Sequence, residues 1–146
     1  ELNNSIGEEI RKIGGEFGVT TGRPRRCGWL DAAAMKYVQM INGFDVINLT
    51  KLDVLSHLDE IKLAVAYKHG NQILPSFPAS LDVLSEVEVV YETFPGWKCD
   101  ISKIRKRSDL PPAAINYVNR IEEIAEVNIK WVCLSLCLSL SLCLLF

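Results

Sequence analysis

The chain has 146 residues, 49% hydrophobic and 23% charged, with 16 basic and 18 acidic side chains and a net charge of -2. That length suits one domain with a real core rather than two, and the charge balance excludes a basic nucleic-acid face spread over the molecule. Five cysteines form no Cys-x-x-Cys pair, and His57 and His69 are not spaced to complete a zinc site, so reduced thiols are the expectation.

The chain begins at Glu1 without an initiator methionine, basic leader or apolar signal segment, as a piece of a longer protein would. Ser5 to Ile13 predicts a helix, with Glu8 and Glu9 in its first turn and Gly14-Gly15 ending it. A basic loop follows. Leu30 to Ile41 predicts a second helix, rich in Ala, Met and Leu, with Asp31 early and Gly43 as terminator. Phe44 to Leu49 and Lys62 to Tyr67 read as strands. Lys68-His-Gly-Asn71 then gives turn chemistry, and Gln72 to Leu74 a hairpin return.

Ser80 to Leu84 reads as a short capped helix and Val87 to Tyr91 as a strand, with Pro95-Gly96 breaking the chain. Ser108 or Asp109 is expected to cap a helix from Pro111-Pro112 to about Ala125, with its prolines confined to the first turn. Ala114, Tyr117, Val118, Ile121 and Ile124 keep helical spacing and predict its buried face. Val127 to Val132 is the last predicted strand. Alternation of strands and helices makes the class α/β.

From Cys133 to Phe146 the composition changes: no charge occurs after Lys130, and leucines alternate with serines and cysteines. Such a segment is short for the ~20 residues a bilayer span needs, so a membrane is disfavoured as partner. As a strand it would be prone to association. A CT dinucleotide repeat read in triplets encodes Leu and Ser alternately, and this low-complexity origin is preferred.

Two segments carry candidate chemistry. Val19-Thr20-Thr21-Gly22-Arg23-Pro24-Arg25-Arg26 combines two hydroxyls, a glycine that lets backbone approach a ligand, and three guanidiniums able to grip carboxylate or phosphate bidentately. In a chain of nearly balanced charge, so local a cluster points to a small anion, although a solvated basic loop fits too. Thr50-Lys51-Leu52-Asp53 follows a predicted strand directly, where ligands sit in doubly wound sheets. One carboxylate at Asp53 can accept from the adjacent N1-H and amine of guanine, while the Lys51 stem lies along the base with its ammonium solvated. The alternative is that Asp53 caps a helix over Val54 to Leu58.

Gly15-Glu-Phe-Gly-Val-Thr-Thr-Gly-Arg-Pro-Arg-Arg-Cys-Gly-Trp-Leu-Asp31, Thr50-Lys-Leu-Asp-Val-Leu55, Val90-Tyr-Glu-Thr-Phe-Pro-Gly-Trp97 and Asp109-Leu-Pro-Pro-Ala-Ala-Ile-Asn-Tyr-Val118 together strongly resemble adenylosuccinate synthetase. The resemblance runs to about Val132 and is to the carboxyl-terminal third of that enzyme. It implies part of a P-loop-like nucleotide-binding fold, with a mixed or parallel sheet and helices on its faces. It also implies two parts: residues 1–132, the substrate- and guanine-binding part, and 133–146, a Leu/Ser tail foreign to the family. The family is a GTP-dependent carbon-nitrogen ligase of purine (AMP) biosynthesis. GTP phosphorylates the 6-oxygen of IMP, and the amine of L-aspartate then displaces the phosphate.

By the same resemblance the loop Val19, Thr20, Thr21, Gly22, Arg23, Pro24 and Arg25 holds aspartate. Arg23 also meets IMP and Arg25 also meets GTP, while Lys51, Leu52 and Asp53 read guanine. A Mg2+ cofactor with its ligands outside this chain, a homodimer and a cytoplasmic location are implied as well. The family's phosphate-binding glycine-rich loop, catalytic aspartate and catalytic histidine would precede Glu1, so no catalytic residue and no metal ligand is assigned here, and the fragment alone is expected to be inactive. Where the family has a final glycine-containing segment beside the guanine, this chain has Cys133-Leu134-Ser135. Two rival readings are a non-catalytic nucleotide-binding module and an interaction protein tethered to a membrane by the tail.

Overall fold

Asn4 starts the first helix: its side chain accepts from the Gly7 amide at 3.1 Å, and α1 runs over Ser5–Ile13 to a cap at Gly14. A computed structural model describes residues 1–134 and 143–145, so most of the Leu/Ser tail lies outside the described residues. A two-residue strand, β1 (Leu30–Asp31), feeds α2 (Ala32–Asn42), and the Asp31 carboxylate caps that helix by accepting from the Ala34 amide at 2.8 Å. Gly43, at φ 64, ends it in the left-handed conformation that only glycine adopts readily. Then come β2 (Val46–Thr50), a single 3-10 turn at Leu52–Leu55, β3 (Glu60–His69), β4 (Gln72–Ile73), α3 (Leu81–Glu86) and β5 (Glu88–Pro95). The chain closes with α4 (Pro112–Ala125), β6 (Asn128–Cys133) and β7 (Cys143–Leu145).

The strands form two sheets of mixed direction. In one, β3 pairs parallel with β1 and antiparallel with β4 and β5; in the other, β6 pairs parallel with β2 and antiparallel with β7. The class is thus mixed α/β, as expected from the alternation. Parallel pairing of β2 with β6 sets Thr50 beside Cys133, which brings the Thr-Lys-Leu-Asp segment to the carboxyl end of both strands.

The core lies under α4. Ala114, Tyr117, Val118, Ile121 and Ala125 are buried, whereas Ile124 is only partly so. Ala114, Tyr117, Val118 and Ile121 pack with Ile61 and Leu63 of β3, Ile129 and Val132 of β6, and Ile101. Each such aliphatic side chain contributes about 1.5–3 kcal/mol by leaving water. Tyr117 is ringed by Phe94 at 5.5 Å and Trp97 at 6.2 Å, and burial pushes its phenol well above the usual tyrosine range.

Several local readings are corrected. Ser108 and Asp109 do not cap α4; they lie in a 3-10 turn, and Pro111, which has no side-chain donor or acceptor, occupies the cap. Ser80 sits at the start of α3 without a capping bond from its side chain. Cys27 and Cys99 are free thiols, but Cys133 is in a disulfide, so the expectation of reduced thiols fails there. β6 extends one residue into the tail, through Cys133, and Leu134 is buried. Among the described residues no helix is long and apolar enough to cross a membrane.

Candidate functional site

The basic loop is a small hairpin. Phe17 and Pro24 form an antiparallel bridge, the Gly18 amide donates to the Arg23 carbonyl at 2.8 Å, and the Arg25 amide donates to the Glu16 carbonyl at 2.9 Å. The turn closes through the Gly22 amide on the Gly18 carbonyl, with Gly22 at φ 64. Its tip is in solvent: Thr20 and Thr21 are exposed and Val19 is 96% exposed. An exposed valine gains nothing from burial, so packing is not what selects the composition of this tip.

Of the three arginines, Arg25 is committed to the protein. Its Nη1 donates to Glu16 Oε2 at 3.1 Å, and its carbonyl accepts from Arg11 Nε at 2.8 Å. Arg23 and Arg26 are exposed, and their guanidiniums make no hydrogen bond or ion pair among the described residues. Arg23 and Arg26 can therefore meet a ligand without first breaking an internal bond.

Lys51 departs from its expected state. Rather than leaving its ammonium in water, it donates to the Gly14 carbonyl at 2.7 Å and forms an ion pair with Glu16 Oε1. Its backbone is left-handed, at φ 59 and ψ 34, a conformation disfavoured for a residue with a Cβ, and its amide donates to the Cys133 carbonyl at 2.7 Å. Lys51, not Asp53, occupies the cap of the 3-10 turn, so the capping alternative for Asp53 is corrected. Asp53 lies within that turn, partly exposed, and its carbonyl accepts from the Ser56 amide at 3.0 Å.

The two candidate segments thus meet at one carboxylate. Glu16 gives one oxygen to Lys51 and the other to Arg25. Sequence reasoning missed it, although a signal was there: Glu16 is the lone carboxylate between Glu9 and Asp31, set amid five basic residues. The Lys51 hydrogen bond, opposed by partial burial and aided by the charges of Lys51 and Arg25, holds the Glu16 carboxyl below its usual range.

A group whose folded pKa is depressed stabilises the fold above its unfolded pKa, and that contribution is lost as pH falls through the folded value. Glu16→Gln is therefore expected to lower stability by about 1–2 kcal/mol near pH 7, the scale of a charge-assisted bond discounted for partial exposure. The deficit should shrink progressively below about pH 4.5, as the native carboxyl protonates. Urea midpoints of both forms across pH 3–7 test this. A deficit that does not change with pH would mean that shape, not charge, matters at Glu16.

Beside this junction is a cleft of about 360 Å³ lined by Gly14, Glu16, Trp29, Asp31, Thr50, Lys51, Leu52 and Tyr117 among others. Lys51 and Leu52 are in its wall, whereas Asp53 and Val19–Arg25 lie outside it. Asp31 also accepts from the Tyr67 hydroxyl, and burial, with that carboxylate's help, pushes the Tyr67 phenol well up. A second cleft of the same volume lies between α2, β3 and α4, lined by Tyr37, Tyr67, Phe77 and Arg120, and contains none of the predicted site residues. The chemistry selects the first.

Neither histidine belongs to this site. His57 lies 3.3 Å from Glu9 and His69 3.0 Å from Glu86. Among the described residues no group of three or more His, Cys, Asp or Glu side chains could hold a metal ion. No cage made of protein side chains alone is thus present for Mg2+ among the described residues, and no step is routed through it.

Comparison with known proteins gives one consistent result. The family model described as adenylosuccinate synthetase matches residues 1–136. The adenylosuccinate synthetase of Dictyostelium discoideum is 54% identical over 132 residues, which is 90% of this chain and 31% of that protein. The chloroplastic enzyme of Triticum aestivum is 56% identical over 133 residues, 90% of this chain and 28% of its own length. A solved structure of fully ligated adenylosuccinate synthetase from Plasmodium falciparum superposes with a TM-score of 0.93 at 42% identity, covering all of this chain and 35% of that one. The chain spans about a third of the curated relatives it matches. The expected position of that share at the carboxyl-terminal end is corrected: the matched spans support a partial match of that extent and not that placement.

Proposed function

Because the chain belongs to the adenylosuccinate synthetase family, we propose that it works as part of a full-length GTP-dependent ligase that joins L-aspartate to IMP. In this reading residues 1–132 form the substrate- and guanine-binding part, and the tail over 133–146, of which the family model reaches only as far as 136, is foreign to the family beyond that point. The loop from Val19 to Arg25 holds aspartate, with Arg23 also meeting IMP and Arg25 also meeting GTP. Lys51, Leu52 and Asp53 meet the guanine. Mg2+, a homodimer and a cytoplasmic setting complete the proposal, with the metal held by residues outside this chain.

The observation that supports this reading is the junction at Glu16, where the basic loop and the Lys51 turn share one carboxylate. A dicarboxylate and two nucleotides crowd several negative charges into one place. Like charges 4 Å apart repel by about 4 kcal/mol at an effective dielectric near 20, so neighbouring guanidiniums are needed to hold them together. Cations fixed before the ligands arrive cost no reorganisation when charge develops on the 6-oxygen during phosphoryl transfer. In this proposal the chain's own contribution is binding, orientation and neutralisation.

The test is steady-state kinetics of full-length protein carrying this sequence. Arg23→Ala removes a bidentate donor that has no internal duty. Its kcat/KM for aspartate and IMP is expected to fall by roughly one to two decades, the equivalent of about 1.5–3 kcal/mol, with KM for GTP changed much less. If Arg23→Ala left aspartate and IMP kinetics untouched, the loop would be a solvated surface and the assignment would be withdrawn.

A further inference from the structure

We propose that Glu16 is a positioning residue that couples the basic loop to the Lys51–Asp53 turn, so that an anion held by the loop tightens guanine binding by the turn. The inference rests on the function proposed above and adds a link between its two sites.

Geometry carries it. The carboxylate spends one oxygen on Lys51 and the other on Arg25, so a change at either cation is felt at the other. Lys51 needs that hold: its backbone is left-handed, and Glu16, the Gly14 carbonyl and the Cys133 carbonyl together fix it there. The two cations differ in exposure. The Lys51 side chain is 29% exposed and the Arg25 side chain 54%, so Arg25 can turn its remaining N-H groups to an incoming carboxylate or phosphate. An anion on Arg25 reduces that arginine's claim on Glu16. The carboxylate then bears more fully on Lys51, and the turn that carries Leu52 and Asp53 is held more firmly. The Glu16 carboxyl is kept below its usual range, so it is charged throughout the neutral region and the link does not depend on pH there.

The experiment is calorimetric titration of GTP into the full-length protein, without IMP, in the absence and presence of saturating L-aspartate. In the unsubstituted protein aspartate is expected to lower the Kd for GTP about fivefold or more, within the usual range for coupled sites. In Glu16→Gln that ratio should approach one. Its amide can still accept from Lys51, but it carries no charge and turns a donor towards Arg25. Glu16→Asp, which keeps the charge but is a methylene too short to reach both cations, should also lose the ratio, and serves if the Gln variant fails to fold. A merely structural staple would lower the melting temperature and leave the ratio unchanged. An unchanged ratio in either folded variant, or no effect of aspartate in the unsubstituted protein, overturns the proposal. No GTP- and aspartate-dependent turnover by unsubstituted protein supplied with IMP would overturn the ligase reading instead, and the coupling with it.

Discussion

Asp53→Asn in the full-length protein is expected to change the preferred nucleotide from GTP to xanthosine triphosphate. Guanine presents two adjacent donors, N1-H and the exocyclic amine, and a carboxylate can accept from both at once. The asparagine amide presents one acceptor and one donor, so a donor is set against a donor and GTP loses about 1.5–3 kcal/mol. Xanthine has a carbonyl where guanine has its amine, and that carbonyl accepts from the new N-H. With loss on one side and gain on the other, the ratio of kcat/KM values should move by roughly two to three decades. The turn itself should survive, because Lys51 and not Asp53 caps it. Steady-state kinetics with each nucleotide varied would show this. An unchanged base preference in Asp53→Asn would remove Asp53 from the guanine site.

The largest expected loss of stability comes from Gly96→Ala. A Cβ at Gly96 would overlap the Leu58 carbonyl oxygen and stand 2.8 Å from its carbonyl carbon. Both are backbone atoms, so no side chain can swing aside. The Gly96 amide also donates to the Asp59 carbonyl at 2.8 Å, which pins the two segments together, and the next residue, Trp97, is buried against Tyr117. Overpacking of this kind costs about 3 kcal/mol, at the upper end of the usual range, out of a total stability of ~5–15 kcal/mol. With a urea slope of about 1–3 kcal/mol/M, the midpoint should fall by about 1–3 M. Gly22→Ala is the matched control. Open space surrounds Gly22, so only the strain of its positive φ is felt, at about 1 kcal/mol. Equal midpoints for the two variants would mean that the Leu58 segment moves away at little cost.

What the sequence made legible follows from the range of the forces involved. The bounds of α1 and the face of α4 were readable because capping residues and 3.6-residue spacing act within one or two turns. The pattern marks only the middle of β3, since Glu60, Lys68 and His69 look like solvent residues and are strand only through pairing with β5 and β4. β1 is indistinguishable in the sequence from the start of the following helix, because two residues carry no period of their own. At the candidate site the hydroxyls, guanidiniums and Asp53 stood out by chemistry alone. The state of Lys51 is not legible there, because its partners, Gly14 and Glu16, lie 37 and 35 residues back in the chain. No local pattern reveals such a pairing.

The bond from the Lys51 amide to the Cys133 carbonyl also bears on when the site can form during folding. Hairpins and helices close loops of a few residues and form early, whereas parallel strands joined by most of a domain must wait for a long loop to close. The basic hairpin can therefore exist before the sheet does, but the turn at Lys51 acquires its final shape only after β6 has docked beside β2. On a ribosome, most of the chain shown here would have emerged before the Lys51 turn could take its final shape. An amino-terminal piece ending before β6 would carry the basic hairpin but lack the carbonyl that fixes the Lys51 amide.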